Sequence, residues 1–247
     1  MAKHNHFTAF THDIKKYAKF SNKELNQLIY VVIAAAFVFT FNKWGVTYFD
    51  FERGIANLFI AILFLGVFFV GQIYVKKIVA VKLGYDTEYE WSMPGVVAMV
   101  IVAFLSYGYI PFLLLGHTKI IQNDRRRIGG WRFALNHKDH YKIYLSGYLF
   151  NYLLIILILG PIFFYTQSHF MMELIKINLA LIFFSILPLP KNDGLILFFS
   201  HRSLYFVLVA FIIVMSLLII WAQIFSFILA AVIALIISRV LMTQFHL

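Results

Sequence analysis

Charged and amide side chains set inside long apolar runs are where this sequence could do chemistry, because an ionisable group is expensive in an apolar medium. Two places stand out. In Gln72-Ile73-Tyr74-Val75-Lys76 an amide and an ammonium stand at i and i+4, which puts both on one face of a helix. In Pro188-Leu189-Pro190-Lys191-Asn192-Asp193-Gly194 an acid occupies a short break, punctuated by Pro and Gly, between two apolar runs. The plain structural role for Asp193 is an N-cap on the helix that opens near Leu195.

Other polar signals have simpler readings. His137 and His140, at i and i+3, could share a helical face, and His117 and His201 lie near the edges of apolar runs. None adjoins a Glu in a metal-site motif, so solvated or interfacial histidine is the expectation. Glu173 and Lys176 read as a helix-end pair. Arg125-Arg126-Arg127 suits lipid headgroups, or else a docking surface for an acidic partner. The chain has no cysteine, which excludes disulfides and thiolate metal sites.

The elements that must position these groups are membrane helices. Hydrophobic residues make up 62% of the 247 residues and charged residues 13%, half the share of an ordinary soluble domain (about 25%). Only a bilayer supplies the apolar solvent such a chain needs. The net charge of +10 is scattered over the polar links, where it meets anionic headgroups rather than nucleic acid.

Residues 1–24 form a polar tail, and residues 25–247 a single transmembrane domain with its core helices at about 55–190. Ser21 and Glu24 have capping-box spacing, so Leu25–Phe41 is expected as the first helix, an uncleaved anchor. Thr47–Glu52 alternates like a short strand. The second helix runs from Ile55 to Leu83 and is stopped by Gly84. Asp86–Trp91 alternates again, as an edge strand would. Pro94 opens a third helix that continues to about Leu115. Residues 116–142 read as a loop. Helix four covers about Ile143–Tyr165 and helix five about Phe170–Leu187. The uncharged stretch Ser203–Ser238 would reach about 54 Å as one helix, so it is divided near Trp221-Ala222-Gln223. The fold class is therefore all-α and multi-spanning, with six or seven transmembrane helices and short strands in its loops.

Orientation is ambiguous. The N-terminal tail carries five lysines and residues 116–142 carry seven Lys and Arg. Simple alternation of spans puts these segments on opposite sides, which the positive-inside rule does not allow.

Three segments, in order, carry a resemblance: Lys77-Ile78-Val79-Ala80-Val81-Lys82-Leu83-Gly84-Tyr85, then Tyr144–Asn151 with its Gly147, then Leu187–Gly194. Together they resemble the site-2 proteases, intramembrane zinc metallopeptidases, in their archaeal-type form. The resemblance implies a helix bearing HExxH and a later segment whose Asp is the third zinc ligand. Anchored on Lys82-Leu83-Gly84, it places Gln72 and Lys76 where the family has its two His, and Ile73 where it has the catalytic Glu. Ser185 falls on the family's Asn of the later segment. Asn151 and Asp193 are retained. Gln72 is a poor zinc ligand, protonated Lys76 is none, and Ile73 cannot act as a base. The resemblance thus implies a vestigial site at Gln72, Ile73, Lys76, Asn151 and Asp193, with no zinc or other cofactor expected, and with Lys76 free to bring its positive charge to Asp193.

The resulting expectation is a pseudoprotease of the cell membrane. Its partners would be membrane lipids and a transmembrane segment of another protein, or a membrane complex in which it is a subunit. An active zinc peptidase with a rearranged site, and a transporter or channel component, stand as alternatives.

Overall fold

A computed structural model describes residues 12, 14–45, 49–122 and 137–222. Ser21 caps α1 (Asn22–Thr40), its hydroxyl accepting from the Glu24 N–H while Glu24 Oε2 accepts from the Ser21 N–H at 2.8 Å. Asp50 caps α2 (Phe51–Leu83), where a strand over Thr47–Glu52 was expected. A capping carboxylate at the head of a long apolar helix outweighs a short alternation; residues 46–48 lie outside the described residues. The 33 residues of α2 reach about 50 Å, longer than a bilayer core, and Gly84 ends the helix at φ 88°.

Next come β1 (Tyr85–Glu90), α3 (Met93–Leu105) and β2 (His117–Gln122), with β1 and β2 antiparallel and Tyr89 opposite Thr118. The segment 116–142 is therefore not simply a loop. It opens with β2, and α4 (His137–Leu154) begins before its end. Residues 123–136, with the arginine triplet, lie outside the described residues.

A π-helical turn (Ile155–Leu159) joins α4 to α5 (Gly160–Thr166). Pro161 explains it, since proline lacks an N–H and its ring crowds the preceding turn, which widens to make room. Next follow α6 (His169–Ile186), α7 (Asp193–Ser200) and α8 (Arg202–Ala222). The expected division near Trp221–Gln223 reaches beyond the described residues.

The described chain is thus mostly helical with one two-stranded sheet. Among the described residues, four helical stretches are long and apolar enough to cross a membrane: Asn22–Thr40, Phe51–Leu83, Lys138–Thr166 and His169–Ile186. Many large apolar side chains face outward along them, among them Ile29, Phe59, Val67, Leu157 and Phe183. These faces suit lipid rather than water.

The third expected helix is shorter than predicted, and the difference decides at which end β2 and α4 begin. It ends at Leu105, and Tyr107 and Gly108 then take φ of 50° and 75°. The turn packs on the C-terminal end of α1, with the rings of Phe104 and Phe41 4.8 Å apart. Pro111 disfavours any return to helix before it, and residues 111–116 run back without helix to β2. Leu113 and Leu115 are buried on the way. The course of β1 and α3 is therefore reversed by a non-helical return. The start of α4 comes back to the end where α1 begins, and the Tyr85 hydroxyl donates to Asp139 there at 3.0 Å. The start of α1 and the start of α4 therefore lie at the same end.

Candidate functional site

The consecutive lysines Lys76 and Lys77 define the site, because neighbours on a helix point about 100° apart. Each is buried, and each reaches a different carboxylate. Lys76 points to α4 and α7, and its Nζ lies 2.5 Å from Asp193 Oδ2. Lys77 points to α1 and β1. Its Nζ lies 2.7 Å from Glu24 Oε1 and donates to the Thr87 carbonyl at 2.6 Å.

Gly147 on α4 allows the first contact. A β-carbon there would lie 2.3 Å from Lys76 Cε and 2.9 Å from Gln72 Cγ, so only glycine lets α4 pass this close. Tyr148 and Tyr144 wall the ammonium, with Nζ 5.5 Å and 6.0 Å from their ring centroids. One turn earlier on α2, the Gln72 Oε1 accepts from Asn151 Nδ2 at 3.0 Å, and both residues are fully buried. Ile73 is buried in the apolar core. Ser185 is buried, and its carbonyl accepts from the Tyr148 hydroxyl. The structure thus brings Gln72, Lys76, Asn151 and Asp193 into one contiguous cluster through α2, α4 and α7.

Asp193 is not a helix cap. The capping position of α7 belongs to Asn192, whose amide instead holds the carbonyls of Phe184 and Leu187. The second Asp193 oxygen, Oδ1, accepts from the Thr118 N–H of β2 at 2.8 Å. The Thr118 carbonyl accepts from the Tyr144 hydroxyl at 2.5 Å. On the other edge of the sheet, the Tyr89 N–H donates to Glu24 Oε1 at 2.7 Å, beside the Lys77–Thr87 contact.

The two ion pairs therefore share a task. A two-stranded sheet leaves two open edges, and an apolar surround offers no water to satisfy them. Lys76–Asp193 closes one edge and Lys77–Glu24 the other. The sequence pointed to the first pair but not to the second. The signal was present: Lys77 is a charge on a helix at depth and needs a partner, and Glu24 was assigned only to the cap.

The remaining candidates lie apart. His117 Nε2 is 4.0 Å from Glu90 Oε2, the His140 ring lies against Tyr144, and the His201 carbonyl accepts from the Tyr205 N–H. Among the described residues, no three His, Asp or Glu side chains are grouped as metal ligands would be. Glu173 does pair with Lys176 at 3.3 Å, but its shorter partner is Lys43, at 2.5 Å.

The donor set at the cluster does not fit zinc. Asp193 has one oxygen on an ammonium and the other on a backbone N–H. Lys76 has no lone pair when protonated, the Gln72 oxygen is held by Asn151, and Ile73 offers no donor. A scan against protein-family models and searches of curated proteins and of solved structures find no match.

Proposed function

We propose that this chain is a catalytically inactive, site-2-protease-like protein of the cell membrane, in which a lysine ammonium stands where active relatives hold their metal. The observation that carries the reading is the 2.5 Å contact of Lys76 Nζ with Asp193 Oδ2, both side chains buried. Under the resemblance, Lys76 falls on a zinc-ligand His and Asp193 on the zinc-ligand Asp. A fixed positive charge beside that Asp replaces the electrostatic role of the cation without any of its Lewis acidity. Ile73, where the resemblance puts the general base, has no proton to exchange.

Hydrolysis is then lost while the packing around the site is kept. Such a protein binds a transmembrane segment of a partner, or serves as a subunit of a membrane complex. The same reading carries six or seven crossings. The four long helices supply four, and α8 (Arg202–Ala222) is a further apolar helix.

The test is the zinc content of the detergent-purified full chain, wild type beside Asp193→Ala. Wild type without stoichiometric zinc is the expected result. Stoichiometric zinc that disappears in Asp193→Ala would overturn the reading and favour an active peptidase with a rearranged site.

A further inference from the structure

We propose that the end of the molecule opposite the lysine cluster holds an anionic phospholipid by its headgroup phosphodiester. A cavity of about 400 Å³ opens there between the C-terminal end of α1 and the N-terminal ends of α2 and α6. Its polar lining lies at the helix ends or within about a turn of them: Asn42, Lys43, Arg53, His169 and Glu173, with Thr40 and Asn57. Two turns further in, the lining becomes apolar, with Ala61 of α2 and Ile177 of α6. Arg53 to Ala61 is about 12 Å of helix, so polarity falls away along the helix axes as it does from a lipid headgroup to its acyl chains.

The charge balance selects the ligand. Glu173 is the cavity's carboxylate, and both its oxygens are taken, Oε2 by Lys43 at 2.5 Å and Oε1 by Lys176 at 3.3 Å. That leaves the Arg53 guanidinium, which has no carboxylate partner among the described residues, with the exposed His169 imidazole on the same cavity. Asp50 and Glu52 are close to Arg53 in sequence but do not line the cavity. With Glu173 answered by Lys43 and Lys176, the charges lining the cavity are net positive, which suits an anionic headgroup, and the planar fork of arginine suits the two free oxygens of a phosphodiester. The stacked rings of Trp44 and Phe49, with exposed Tyr165, mark this end as an aromatic interfacial belt, the depth at which headgroups sit. A lipid also accounts for the apolar inner half of the cavity, which a free phosphate would leave unused.

The full chain in a neutral detergent is titrated with short-chain phosphatidylglycerol, short-chain phosphatidylcholine or inorganic phosphate, and bound species are counted by intact-complex mass spectrometry. Phosphatidylglycerol is expected to bind one site at least about tenfold more tightly than phosphatidylcholine, the scale of one charge-assisted contact. The exposed pair Arg53→Gln and His169→Gln together should abolish that preference. Lys82→Gln, which removes an exposed charge at the opposite end, should leave it intact. Equal binding of the two lipids, or a preference that survives in the double variant or vanishes in Lys82→Gln, overturns the proposal. So does inorganic phosphate competing as well as the lipid, which would make this a site for a soluble anion.

Discussion

Lys76 Nζ and Asp193 Oδ2 are 2.5 Å apart although 117 positions separate them in the chain, and the other oxygen of the same carboxylate closes the edge of β2 at Thr118. One acid therefore answers for a buried cation and for an open strand edge. Losing either partner leaves a charge with no counter-ion, whereas losing both charges leaves an uncharged site. Lys76→Met should cost about 3–5 kcal/mol. Asp193→Asn should cost less at the strand edge, because an amide oxygen still accepts from Thr118. The double variant should be more stable than Lys76→Met alone. Thermal unfolding in detergent across the four-variant cycle measures this, and strictly additive losses would refute the coupling.

Glu24 gives a second and independent prediction. Its carboxylate holds the Ser21 N–H, the Tyr89 N–H and the Lys77 ammonium. Ser21→Ala removes only a cap and should cost about 1 kcal/mol. Glu24→Ala also strands Lys77 and opens the β1 edge, so its loss should be at least twice as large. Equal melting shifts for the two variants would show that Glu24 acts as a cap alone.

Gly147→Ala tests the close passage of α4 over Lys76. The added methyl needs the space of Lys76 Cε, and that atom is pinned by its ion pair. A loss of about 1–3 kcal/mol is expected, the usual cost of overpacking. Lys76→Met in the Gly147→Ala background frees the end of the chain to move, so it should cost less than in the wild type.

The extended return through residues 111–122 predicts sidedness. Since the chain has no cysteine, single cysteines report without background. Lys16→Cys and Lys138→Cys should label from the same side of the membrane, the cytoplasmic one by the positive-inside rule. Thr166→Cys, at the end of α5, should label from the other. Labelling of Lys16→Cys and Lys138→Cys from opposite faces would contradict the fold described above.

Much of this was legible in the sequence because it depends on near neighbours. The membrane class follows from composition, since no packing arrangement can hide so much apolar surface from water. The Ser21–Glu24 capping box and the Gly84 stop rest on contacts within a few residues, and the long helices α2 and α6 lie where their apolar runs do. The i, i+4 placement of Gln72 and Lys76 follows from helix geometry alone.

What only the tertiary structure decided are the long-range pairings, because nothing local distinguishes one carboxylate from another. Glu24 and Asp193 carry the same charge, and it is the antiparallel pairing of β1 with β2 that puts each carboxylate at a different sheet edge, beside a different lysine. The third helix stops early for a similar reason. Residues 85–90 need a strand partner, and the buried return of residues 111–122 supplies it at the expense of the helix that the local pattern favoured. That return brings the start of α4 to the end where α1 begins, an arrangement that no count of apolar runs could have shown.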